Sequence, residues 1–202
     1  MKPKTKNRDP LAHLGTEGIF RSADLEAVGL HRSQLPRLIE QGEVERLGRG
    51  LYRRTSEEIS QHITVAAVCR RVPQAIVCLL TALRIHEIGT QSPWEVWIGL
   101  DRKARKPRFQ DLAVRIVRFS GSSLDEGVEE MRIQGVRVKI TSPARTVVDC
   151  FRYRNKIGLD VALEALRETV QGRKATPAEI VRTAEALRAR TVILPYVESL
   201  VA

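Results

Sequence analysis

Apolar and polar positions alternate between two periods along the chain, and the changes of period divide it into short elements. Asp9-Pro10 has the form of an N-cap followed by a first-turn proline, predicting a short helix through Leu11 and Leu14 that stops near Gly15. Ser22 is the expected cap of a second short helix, Ala23 to Val28, closed by Gly29. A third is expected from about His31 to Gln41, where Leu35, Leu38 and Ile39 share one arc and Gly42 ends it. Ser33, Arg37 and Glu40 fall on the opposite arc, with Arg32 and Gln34 flanking. Pro36 removes a backbone donor there, so the helix is either kinked or starts later. Two extended runs, Glu43 to Leu47 and Leu51 to Arg54, then flank Gly48-Arg49-Gly50, a hairpin pattern. Three short helices followed by a basic hairpin predict a winged helix-turn-helix over residues 9–55.

The boundary is expected at 55–62. A periodic stretch follows (Ile59, Ile63, Ala66, Ala67), running to Val72-Pro73 as either a linker or the first element of a second domain. Strand patterns are read at Ala75–Val77, Trp94–Leu100 and Leu112–Phe119, with a hairpin from Val128 to Ile133 and Val136 to Ile140 about Gln134-Gly135. Helical patterns are read at Leu79–Ile88, from Ser142-Pro143 to about Tyr153, and from Leu159 to Gly172. Another opens at the capping box Thr176-Pro177-Ala178-Glu179, and a last runs from Leu194 to Val201, beginning at Pro195. Strands in the middle with helices around them predict a mixed α/β domain over 56–202, and an α+β chain as a whole.

Composition narrows the class. The 202 residues carry 34 Lys+Arg against 24 Asp+Glu, a formal charge of +10, with 43% hydrophobic and 29% charged residues. That balance suits a soluble globular protein and excludes a disordered or collagen-like chain. No apolar run approaches the roughly 18 residues of a membrane span. The basic start, Met1 to Lys6, leads into Asn7-Arg8-Asp9-Pro10 and not into a signal-peptide core, so a cytoplasmic location is expected. Cys69, Cys78 and Cys150 are odd in number and set among apolar residues, which reads as buried thiols in a reducing compartment. His13, His31, His62 and His86 show no metal-ligand spacing, so no metal and no cofactor is expected.

The third helix is where residue type meets a task. A helix in the DNA major groove offers its solvent face to base edges, where arginine grips guanine and glutamine grips adenine in two places. Arg32, Ser33, Gln34 and Arg37 are the candidate base readers; Arg46, Arg49, Arg53 and Arg54 on the wing are the candidate phosphate contacts. Bulk charge does not announce this, because residues 1–60 hold 3 Lys and 8 Arg against 9 Asp+Glu, a net of +2. Charge collects downstream instead, with 7 basic and 2 acidic residues between 101 and 118. Arg102, Lys103, Arg105, Lys106 and Arg108 there are either a contact for phosphate or a partner protein, or a solvated tip. Phosphate-loop, dinucleotide-fold and nucleophile-elbow motifs are absent. Gly121-Ser122-Ser123 lacks a following Asp-x-Asp pair, and Asp125, Glu126, Glu129 and Glu130 cluster in a loop rather than converging from strands, so no enzyme is expected.

The segments Thr16 to Phe20, Gly29-Leu30, Leu35 to Gly42 and Leu47-Gly48-Arg49-Gly50-Leu51-Tyr52 resemble the N-terminal winged helix of the AbiEi antitoxins (abortive infection E). Thr81-Ala82-Leu83, His86, Ile88-Gly89 and Ser142 to Asp149 are similar to that family's antitoxin domain. The resemblance implies a non-catalytic DNA-binding autorepressor and antitoxin. Its first domain would bind double-stranded DNA at an inverted-repeat operator of its own operon, as monomer or dimer, and its second would counter a nucleotidyltransferase-type toxin, directly or indirectly. Arg145, Thr146 and Asp149 belong to the family-like segment: Arg145 and Asp149, four apart on a helix, either lock that helix in place or form part of the antitoxin surface. Two other readings stand beside this one, a winged-helix regulator whose second domain senses a ligand or partner with no toxin, and a winged helix fused to a DNA endonuclease.

Overall fold

The computed structural model describes residues 11, 18–56 and 60–201. The chain divides into two compact units, Met1–Arg71 with Arg132–Val136, and Val72–Met131 with Arg137–Ala202.

In the first unit, strand β1 (Ile19–Arg21) leads to α1 (Asp24–Ala27), a 3-10 turn (Arg32–Gln34), α2 (Leu35–Glu40), the hairpin β2 (Val44–Gly48) and β3 (Leu51–Arg54), and α3 (Ile63–Arg71). The sheet order is β1-β3-β2, antiparallel throughout, with Phe20 opposite Tyr52 and Glu45 opposite Arg53. Leu11, Phe20, Leu25, Leu35, Leu38 and Val44 are buried together, with Tyr52 stacked on Phe20. Leu11, Leu25, Leu35 and Leu38 are apolar positions of the predicted helices and Val44 of the predicted hairpin, while Phe20 comes from β1, a strand that the sequence pattern does not predict; the helix-turn-helix and wing close on one small core. The expected first helix lies outside the described residues except for Leu11.

Three local readings change. Ser22 is not the cap of α1; the Asp24 carboxylate accepts the Arg21 backbone N–H at 2.7 Å and pairs with Arg70 of α3. The third helix is divided: His31 accepts from the Ser33 N–H to cap the 3-10 turn, and α2 proper begins at Leu35. Pro36 therefore lies in the first turn, where its missing donor has no intrahelical partner to lose, and the choice between kink and later start falls to the later start. Gly42, at φ +72°, ends α2 as Glu43 donates back to the Leu38 carbonyl at 3.0 Å. The first unit also runs past the expected boundary to Arg71, because Arg70 and the carbonyls of Arg70 and Arg71 hold Asp24 and Arg21.

The second unit is built on a five-stranded sheet in the order β6-β5-β4-β8-β7: β4 (Ile76–Val77), β5 (Val96–Asp101), β6 (Val114–Phe119), β7 (Val128–Ile133) and β8 (Val136–Thr141). β4 runs parallel to β8 and antiparallel to β5, and β5 runs parallel to β6, so the sheet is mixed. The helices are α4 (Leu79–Ile85), α5 (Pro143–Arg152), α6 (Arg154–Ile157), α7 (Leu159–Gln171), α8 (Pro177–Ala186) and α9 (Arg190–Val201). α5 is buried from Ala144 to Phe151 and packs against α4, α7, α8 and α9. Ser142 caps α5 and the Thr176–Glu179 box caps α8, as the sequence predicts. α9 begins at Arg190 rather than at Pro195, which sits inside it. Cys69, Cys78 and Cys150 are free and buried; burial pushes the Cys69 thiol up to about 12 and Cys78 and Cys150 upward as well.

Candidate nucleic-acid interface

α2 and the turn before it owe their exposed face to core packing. Leu35 and Leu38 enter the core and turn Arg32, Ser33, Gln34 and Arg37 outward, all exposed. Ile39, expected in the buried arc, is exposed as well, since two turns of helix bury only one narrow stripe. The His31 Nδ1 and Ser33 Oγ lie 2.8 Å apart, a contact that fixes the entry to the helix and leaves the Gln34 and Arg37 ends in solvent.

The wing separates the candidate phosphate contacts. Gly50, at φ +70°, lets the chain reverse after Arg49. Arg46 and Arg49 are exposed, and Arg46 Nε donates to the Gly48 carbonyl at 3.3 Å. Arg54 is half-buried and donates to the Leu11 carbonyl at 3.4 Å. Arg53, expected among the phosphate contacts, is instead buried, 7% exposed, with its guanidinium on the Glu45 carboxylate at 2.6 and 3.0 Å. Strand alternation puts Arg53 on the face of Leu51, opposite that of Tyr52, and the cross-strand register supplies its acid, so it stabilises the wing from within. The pairing depends on the β2–β3 register, which shifts between Arg46 and Gly48, and no spacing in the sequence fixes it.

The second unit places its family-like residues in the interior. Arg145, Thr146 and Asp149 are fully buried. Arg145 Nε meets the Asp149 carboxylate at 2.7 Å, and its other nitrogens donate to the carbonyls of Glu126 and Ser123, the latter at 3.1 Å. Its guanidinium lies 5.1 Å from the Phe119 ring centre, and Phe119 reaches there across Gly99, where a Cβ would meet the ring at 2.1 Å. Arg152 reaches the other Asp149 oxygen at 3.0 Å. Burial pushes the Asp149 carboxyl above its ordinary range, against the pull of Arg145 and Arg152. The cluster thus ties the 120–127 loop to α5. Ser122 Oγ donates to the Ala186 carbonyl, which takes the Gly121-Ser122-Ser123 turn into the same framework. Thr146 Oγ1 meets the Thr141 carbonyl at 3.1 Å and its hydroxyl at 2.7 Å.

His86 is half-buried and hydrogen-bonded to the same segment. Its Nε2 lies 2.7 Å from the Thr141 carbonyl, so that nitrogen carries the proton, and burial lowers the pKa of the ring below its ordinary value. Of the acidic residues considered for a nuclease, Glu130 pairs with Arg137 at 2.5 Å, while Asp125 and Glu126 end the loop that Arg145 holds. Among the described residues no group of three or more His, Cys, Asp or Glu side chains could hold a metal ion, and no helix is long and apolar enough to cross a membrane. The downstream basic residues Arg102, Lys103, Arg105, Lys106 and Arg108 are all exposed on the connection between β5 and β6.

Residues 11–55 match the family of the AbiEi antitoxin, a transcriptional regulator. No curated protein sequence matches the chain. Among solved structures, the crystal structure of the RV2827C protein from Mycobacterium tuberculosis is similar over 89% of this chain and 72% of that one, with a TM-score of 0.58 and 14% identity. At that identity the likeness is one of fold.

Proposed function

We propose, from the premise that residues 11–55 form an AbiEi-type regulator segment, that the chain is a DNA-binding autorepressor and the antitoxin of a toxin-antitoxin operon. The observation that supports this most directly is the exposure of Ser33 and Gln34 on the 3-10 turn and of Arg37 on α2, beside a wing that keeps Arg46 and Arg49 outward. In this reading Gln34 and Arg37 read base edges, and Arg46 and Arg49 hold phosphates and set the register. Arg53 and Arg54 brace the wing. The second unit counters a nucleotidyltransferase-type toxin without chemistry of its own, and its buried Arg145–Asp149 framework keeps the outer surface fixed.

A reporter fused to the DNA upstream of the gene, with the neighbouring gene induced separately, tests both halves. The full chain is expected to repress the reporter and to restore growth when the neighbour is toxic. An unaffected reporter contradicts the DNA half, and growth arrest that the chain does not relieve contradicts the antitoxin half.

A further inference from the structure

β6 is the last strand of its sheet, so its outer edge carries backbone donors and acceptors that no other strand of the sheet takes up. Alternation along this strand sends Val117 and Phe119 into the core and leaves Val114 and Ile116, with Leu112 before them, half-buried on the other face. Those three side chains form the floor of an open groove of about 670 Å³, and the connection from β5 forms its far wall with Pro107 and the cationic rim Arg105, Lys106 and Arg108. Trp94 lies two residues before Val96, which pairs with Val114, and at 81% exposure it is the most exposed large hydrophobic side chain among the described residues.

We infer that this groove docks an extended, acidic segment of a partner protein, added as a strand along β6. Three features select that occupant. The open edge supplies main-chain pairing to an extended backbone. Leu112, Val114 and Ile116 repeat every two residues, the spacing at which a neighbouring strand presents its own apolar side chains. Arg105, Lys106 and Arg108, with Arg102 and Lys103 next to them, match acidic residues on the alternate positions of that strand. Trp94 is an aromatic anchor of the kind that dominates interfaces. An apolar floor distinguishes the groove from a nucleic-acid surface, which would set its cations against phosphates without an aliphatic row beneath them. The inference concerns a different surface from α2 and the wing and does not depend on operator binding.

The direct test is fluorescence polarisation of the full-length protein with a labelled octapeptide of alternating aspartate and valine. A lysine–valine octapeptide and a duplex oligonucleotide of unrelated sequence serve as comparators. The aspartate peptide is expected to bind and the lysine peptide not to. Affinity should fall on the order of tenfold or more in K106E/R108E and again in W94A. A peptide N-methylated at alternate amides, which keeps its charge and side chains but cannot pair along an edge, should lose binding. Equal binding of both peptides, affinity unchanged in K106E/R108E, or full displacement by the oligonucleotide would overturn the inference. W94A and the charge variants alter exposed side chains, and circular dichroism checks that their fold is intact.

Discussion

Arg145 is the largest completely buried side chain among the described residues, and every polar atom of its guanidinium is spoken for by Asp149 or by loop carbonyls. A buried ion pair contributes little net stability relative to apolar residues of the same shape, but removing one partner strands the other charge. Asp149→Asn should therefore destabilise the second unit by about 3–5 kcal/mol in urea unfolding, through a buried guanidinium left with neutral acceptors only. A loss below about 1 kcal/mol would mean that the pair is not holding the loop to α5. Gly127 belongs to the same arrangement: at φ +60° it brings the loop so close that a Cβ would lie 2.7 Å from the Arg145 Cβ. The four-residue spacing of Arg145 and Asp149 was legible in the sequence, with both a structural and a surface role open. Their full burial supports the structural role, and burial is a property of the sheet and the 120–127 loop together, which no local pattern encodes.

Elements were legible where a cap or a regular stripe marked them. Ser142 before Pro143 and the Thr176–Glu179 box gave the starts of α5 and α8, because each cap satisfies orphan donors within a few residues of its own position. Proline was the less certain guide. Pro36 falls in the first turn of α2, whereas Pro195 lies inside α9, where tertiary packing of Ile193 and Val197 into the core carries the helix through. The two cases make opposite demands on the backbone. Pro36→Ala is expected to change the unfolding free energy of the first unit in urea by less than about 1 kcal/mol, since a first-turn proline gives up no intrahelical bond. Stabilisation of about 3 kcal/mol would instead indicate a proline in a strained helix interior and contradict the later helix start.

At the scale of the molecule, the chain places its two kinds of basic surface in different units. The first unit carries half of the formal charge, 14 Lys+Arg against 9 Asp+Glu over residues 1–71 and 132–136, and directs exposed arginines and a glutamine from the 3-10 turn, α2 and the hairpin; the second carries the dense cationic segment beside an apolar groove. The outward face of α2 and the wing hairpin were readable from periodicity and turn residues. The withdrawal of Arg53 into a cross-strand pair was not, because it depends on the β2–β3 register and on what lies against the sheet face of Leu51. Nor was the groove, which residues of the β5–β6 connection line together with Leu112, Val114 and Ile116, or the exposure of Trp94.

The central claim is that α2 and the wing grip duplex DNA, with Arg37 reading bases and Arg49 holding a phosphate. The most direct measurement is a titration of the full-length protein with its upstream DNA and with random duplex across a salt series, comparing R37A, R49A and R167A, the last altering an exposed arginine of α7. The account predicts that R37A weakens specific binding by about 1–3 kcal/mol and relaxes the preference for the upstream sequence. R49A should weaken both duplexes alike and lower the salt slope by about one, and R167A should change neither. If R37A and R49A bind the upstream DNA as R167A does, with the same preference and salt slope, the helix and wing are not the DNA-binding surface.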